Sequence, residues 1–298
     1  MIYTITTNPS LDYYLKLEKL NVGSLNRAIS ENYDAAGKGV NVSKFLDKLN
    51  INSIALGFLG GFNKDFYISL LSKYKNIQPQ FTTINDNTRI NIKIKEAKET
   101  ALNAKGPSIS DEEFLKFERR IKQIYENDYV VFSGNIQNEL GDRIIEIIKD
   151  LISSGVKVIL DTDNYIVDAS CDYKPYLIKA DHGDIGTDEK DIINKGKYYI
   201  DKGVKYFLYS SYSMPTYLFF KDHYLKCNDF KNIHDFSTGL NDAMIAGFLW
   251  TKLKGADSLE AFEYGNAVAS IVSLLEEKAD IDKIEDYCKK VKIERFDY

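Results

Sequence analysis

The feature that most restricts the fold of this chain is a repeated alternation of strand-like and helix-like segments. Ile2 to Thr7 reads as a strand, Val40 to Leu49 as a helix with Val42, Phe45, Leu46 and Leu49 on one side, and Ser53 to Leu59 as a second strand. Ser110 and Glu113 have the spacing of a capping box, which opens a helix running to about Glu126 and leading into the apolar strand Tyr129 to Phe132. A helix near Arg143 to Ser153 leads to Val156–Leu160, and one near Ile192 to Lys202 leads to Val204–Tyr209. These strands are apolar throughout, as strands covered on both faces must be. The expected fold class is α/β, a mostly parallel central sheet flanked by helices.

Two stretches break the alternation. Tyr14-Leu15-Lys16-Leu17 and Arg89-Ile90-Asn91-Ile92-Lys93-Ile94 alternate with period two and carry no helix signal. They point to a small β-sheet lid, built from about 12–34 and 88–103 and inserted into a single α/β domain spanning 1–298. Ligands in such sheets bind outside the carboxyl ends of the strands.

Composition narrows the partners. With 39 Lys and Arg against 44 Asp and Glu, the net charge of −5 builds no broad basic field, so neither nucleic acid nor a membrane is expected as a partner. Cys171, Cys227 and Cys288 show no CxxC spacing and only three histidines accompany them, which argues against a disulfide framework and a zinc site. No segment approaches the roughly 18 apolar residues of a membrane span. A soluble, cytoplasmic protein is expected.

Phe236-Ser237-Thr238-Gly239-Leu240-Asn241-Asp242 opens a strongly apolar helix that stops near Gly255. Free N–H groups and the helix dipole at such a terminus can hold a phosphate, and Asp242 beside it can accept a hydroxyl proton. The same residues also read as a core helix merely capped by Thr238 or Asp242. Gly37-Lys38-Gly39-Val40-Asn41-Val42 likewise precedes a helix, with Lys38 placed for an anion or simply solvated in a turn. Asn8-Pro9-Ser10-Leu11-Asp12 ends the first strand, where a ligand or a backbone turn would sit. Arg89 opens a lid strand and is suited to a phosphate or to solubility alone.

In order and spacing these segments, with Ala55-Leu56-Gly57-Phe58-Leu59-Gly60-Gly61 and Thr88-Arg89-Ile90-Asn91-Ile92-Lys93, resemble the PfkB or ribokinase-like carbohydrate kinases, in the branch of 1-phosphofructokinase and tagatose-6-phosphate kinase. The resemblance implies ATP-dependent phosphorylation of a ketohexose phosphate, fructose 1-phosphate going to fructose 1,6-bisphosphate, with tagatose 6-phosphate as the competing substrate. It assigns the base to Asp242 and the anion hole to Gly239, Leu240 and Asn241. Asp12, Gly37, Gly39 and Asn41 would hold sugar hydroxyls, Lys38 and Arg89 the sugar phosphate, with Arg27 assisting from the lid. ATP with Mg2+ would lie on the C-terminal half near Asp181, Asp184, Ser210 and Tyr212; no side chain ligates the metal directly, Asp184 reaching it through water. A homodimer through the lid is implied as well.

The chain departs from the family pattern mainly on the nucleotide side. The family's Gly-Ala-Gly-Asp is Gly239-Leu240-Asn241-Asp242, and its Lys-Pro-Asn-x-x-Glu is Lys179-Ala180-Asp181-His182-Gly183-Asp184. The glycine-containing border of the nucleotide becomes Ser210-Ser211-Tyr212-Ser213-Met214-Pro215-Thr216. Leu240 and Asn241 are expected to crowd the phosphate loop and Asp181 to add negative charge beside it, giving weak ATP binding and slow turnover. The alternative is a catalytically weak or inactive relative that binds a sugar phosphate as a sensor or partner.

Overall fold

A computed structural model of the chain describes residues 1–96, 98–211, 215–228, 239–274 and 281–298. The first strand, β1 (Ile2–Thr6), runs into β2 (Ser10–Lys16) and returns through β3 (Ser30–Ala36) to helix α1 (Lys38–Lys48). β4 (Ser53–Gly60), α2 (Lys64–Leu71), β5 (Ile77–Pro79) and β6 (Thr82–Ile84) follow, then β7 (Arg89–Lys95) and β8 (Glu99–Leu102). The middle of the chain alternates regularly: α3 (Asp111–Ile121), β9 (Tyr129–Ser133), α4 (Gly141–Ser153), β10 (Lys157–Asp161), α5 (Asn164–Ser170), β11 (Leu177–Ala180), α6 (His182–Ile185), α7 (Glu189–Asp201) and β12 (Tyr206–Tyr209). It ends in β13 (Thr216–Phe219), β14 (His223–Cys227), α8 (Leu240–Leu253), α9 (Ser258–Leu274), α10 (Ile281–Cys288) and β15 (Ile293–Asp297).

Among the described residues the main sheet has eleven strands, ordered β15-β14-β13-β12-β11-β10-β9-β1-β4-β5, with β6 also on β4. It is parallel from β5 to β12 and antiparallel through β13, β14 and β15. Each central strand feeds two cores. In β9, Val130 and Phe132 pack with α3 and α4 residues such as Phe114, Phe117, Ile144 and Ile148, while Tyr129 and Val131 pack with Val42, Leu46, Ile245 and Phe248. This double coverage explains the unbroken apolar runs.

The capping box forms as its spacing requires, Ser110 Oγ accepting from the Glu113 N–H and the Glu113 carboxylate from the Ser110 N–H. The helix it opens ends at Ile121 rather than Glu126, because the next N–H groups reach back only three residues, Gln123 to Arg120 and Ile124 to Ile121. The small sheet is present as four strands ordered β3-β2-β7-β8. It springs from the C-terminal edge of the main sheet, with Ser10 level with Ala36 and Arg89 at its base and Lys16 level with Ser30 and Lys95 at its far end. Lys44 of α1, itself buried, donates to Asp34 of β3 at 2.7 Å and ties the lid to the body. Among the described residues no helix is long and apolar enough to cross a membrane.

Candidate active site

Two helix N-termini meet at the C-terminal edge of the parallel sheet. α1 begins behind Gly37 (φ 143°) and α8 behind Gly239 (φ 98°), and neither N-cap offers a side-chain bond to the free N–H groups. A Cβ at Gly37 would come 2.6 Å from Thr6 Cγ2, so the approach of α1 to β1 requires glycine there. The two termini are joined by one hydrogen bond, Asn41 Nδ2 donating to Asp242 Oδ2 at 3.0 Å.

Asp242 is 3% exposed, and its other oxygen, Oδ1, is buried with no partner. Burial, reinforced by the Asp161 charge and opposed by Lys38, Asn41 and Lys179, pushes its carboxyl up to about 7. A carboxylate that gains or loses its proton near neutrality, with one oxygen unoccupied, is equipped to take a proton from a hydroxyl.

A chain of alternating charges runs from there along the strand ends. Lys38 Nζ lies 3.6 Å from Asp161 Oδ2, Lys179 Nζ lies 3.4 Å from Asp161 Oδ1, and Lys179 Nζ lies 3.2 Å from Asp181 Oδ2. Ser133 Oγ donates to Asp161 Oδ2 at 2.7 Å. The Asp161 charge raises the Lys38 ammonium above its ordinary range although burial works against it. Burial raises the Asp184 carboxyl, whose Oδ2 accepts the Asp181 N–H at 2.8 Å. Sequence reasoning missed Asp161, Ser133 and the role of Lys179. The available signals were a carboxylate closing one parallel strand and a lysine inside the apolar strand Leu177–Ala180, which calls for a buried partner.

The lid contributes a second set. Asp12 Oδ1 accepts from Ser10 Oγ at 2.7 Å and from Asn91 Nδ2 at 3.0 Å. Arg89 donates to the Asn8 carbonyl at 2.9 Å and the Ala104 carbonyl at 3.1 Å, while its Nε is buried without a partner. Burial lowers its guanidinium below the ordinary value against the pull of Asp12. The carboxylate acting on Arg89 is that of Asp12, whereas those acting on Lys38 are Asp161, Asp242, Asp181 and Asp184. The two cations therefore stand in separate environments, Lys38 with the base and Arg89 at the base of the lid. Arg27 is exposed on the loop between Lys16 and Ser30, at the end of β2 and β3 away from Ser10. The seven residues of β2 set that end of the small sheet roughly 20 Å from its base.

The anion-hole segment differs from the expected crowded loop. Leu240 is 1% exposed and its side chain belongs to the apolar core with Phe45 and Met244. Asn241 reaches sideways, Nδ2 donating to Asp181 Oδ2 at 3.3 Å. Ser210 is buried with its Oγ unpartnered and its N–H bonded to the Ala180 carbonyl. Tyr212 and Thr238 lie outside the described residues.

This architecture is that of solved sugar kinases: phosphofructokinase-2 from Escherichia coli, in a complex with substrates and products, superposes with a TM-score of 0.89 at 19% identity, over 97% of this chain and 99% of that one. The chain belongs to the pfkB family of carbohydrate kinases, which it matches over residues 6–280. It is 32% identical to 1-phosphofructokinase of Bacillus subtilis over 99% of this chain and 100% of that protein. It is also 28% identical to D-tagatose-1-phosphate kinase of Bacillus licheniformis, over 98% of this chain and 99% of that protein.

Proposed function

We propose that the protein is a cytoplasmic kinase that transfers the γ-phosphoryl group of ATP to the free primary hydroxyl of a ketohexose phosphate, converting fructose 1-phosphate to fructose 1,6-bisphosphate. The observation that carries this reading is Asp242, buried with Oδ1 unoccupied in the first turn of a helix whose N-terminus has no side-chain cap. In this mechanism Asp242 takes the hydroxyl proton as the oxygen attacks, and Asn41 holds the carboxylate by its other oxygen. The N–H groups of Leu240, Asn241 and Asp242 hold the oxygens of the phosphoryl group in transfer, and Lys38 adds positive charge beside them. Asp12, Gly37 and Gly39 border the sugar.

Magnesium fits the residues present. The acceptors near the nucleotide side, the carboxylates of Asp161 and Asp184, are hard oxygens. That suits an ion carried mainly by phosphates and water, with Asp184 as a water-mediated contact. When bound, Mg2+ neutralises phosphate charge during transfer.

Arg89 would read the sugar phosphate through its unpartnered Nε. Arg89→Ala should weaken binding of fructose 1-phosphate by about 2–3 kcal/mol while leaving fructose nearly unaffected, since charge-assisted bonds act only where the anion is. Calorimetry with both sugars decides it, and equal losses would make Arg89 a lid support instead. Turnover compared on fructose 1-phosphate, tagatose 1-phosphate and tagatose 6-phosphate identifies the acceptor, and no phosphoryl transfer to any of them would remove the kinase reading.

We further propose a two-fold homodimer through the lid. Among the described residues β3 and β8 are unpaired along their outer edges, and Leu25, Ile29, Ile90 and Leu102 are exposed on the lid. Sedimentation at micromolar concentration should give a dimer that Ile90→Lys with Leu102→Lys dissociates; a monomeric wild-type protein would refute the arrangement.

A further inference from the structure

Three donors wrap the Asp181 carboxylate. Lys179 Nζ meets Oδ2 at 3.2 Å, the Gly183 N–H meets Oδ1 at 2.9 Å, and Asn241 Nδ2 meets Oδ2 at 3.3 Å. Burial alone would raise this carboxyl, but Lys179, the Gly183 N–H and Lys38 hold it below the usual range, so it is ionised at neutral pH. An ionised carboxylate only accepts, which fixes the Asn241 amide with its nitrogen toward Asp181 and its carbonyl oxygen away. The bond joins the end of β11 to the first turn of α8 across 60 positions of the chain.

A carboxylate at the end of β11, on the edge where nucleotide phosphates are expected, would repel them unless its charge is compensated locally. We propose that Asn241 is a positioning residue that acts through Asp181: it holds this carboxylate turned onto Lys179 and Gly183, so that ATP phosphates can occupy the neighbouring N-terminus of α8. The proposal rests on the ATP-dependent kinase reading. The pair makes a carboxylate at position 181 compatible with a neighbouring phosphate, and neither side chain needs to contact the nucleotide.

The test is a double-mutant cycle of Asn241→Ala and Asp181→Asn, read as MgATP affinity by calorimetry and as KM for ATP and for fructose 1-phosphate. Alanine is a good helix former, so α8 is preserved, and the unfolding midpoint of each variant is measured alongside. Asn241→Ala should weaken MgATP about tenfold and leave KM for fructose 1-phosphate unchanged. In the Asp181→Asn background the same change should alter MgATP affinity by less than about twofold, because no carboxylate is left to compensate. Equal losses in both backgrounds, or none in either, would overturn the coupling while leaving the kinase reading intact. A wild-type protein that binds no MgATP would overturn both.

Discussion

Asp242→Asn is expected to lose about two to four decades of turnover while fructose 1-phosphate binds almost as before, because the amide keeps the shape of the site but cannot take a proton. The same substitution should stabilise the fold. Burial raises the Asp242 carboxyl to about 7, so the native state holds a proton that the unfolded chain releases near pH 4. The wild-type protein therefore loses stability as pH rises from about 4 through 7, and the uncharged asparagine escapes that loss. Asp242→Asn should gain on the order of 2–4 kcal/mol at pH 8 and little at pH 4. Wild-type kcat/KM should rise with pH and level off above about 7. Steady-state kinetics and denaturant unfolding at both pH values check these statements together. An unchanged turnover number would remove Asp242 from the chemistry, and a destabilised variant at pH 8 would show that the carboxylate is better solvated than its burial implies.

Lys179→Met should cost about 3–5 kcal/mol of stability at neutral pH, the second large effect. The lysine side chain is 1% exposed and lies between Asp161 and Asp181, so methionine fills most of its volume while leaving two carboxylates without their shared cation. The cost comes from stranding those charges rather than from any net gain the ion pairs bring. Lys179 also lowers the Asp242 carboxyl, so the rising limb of the pH–rate profile should move to higher pH in the variant. Unfolding at pH 8 measures the first effect and the pH–rate profile the second. A loss below about 1 kcal/mol at pH 8 would mean that water already neutralises the cluster.

The sequence by itself determined the α/β layout, because strand and helix periodicities are local properties and double coverage leaves unbroken apolar runs such as Tyr129 to Phe132. It also determined the Ser110–Glu113 cap, the strands of the small separate sheet, and the glycines before Lys38 and Leu240, since each depends on a few neighbouring residues and a backbone angle. It could mark Asp242 as a candidate but not set its chemistry. The proton affinity of that carboxyl depends on burial by α8 and its surroundings, on Asp161, and on Asn41, which stands 201 positions away in the chain. Only the tertiary structure seated Lys179 between carboxylates on neighbouring strand ends, separated the surroundings of Lys38 and Arg89, and turned Leu240 into the core while Asn241 met Asp181. Side-chain direction and charge compensation are set by what packs across the gap between elements, and the order of residues along the chain carries little of that information.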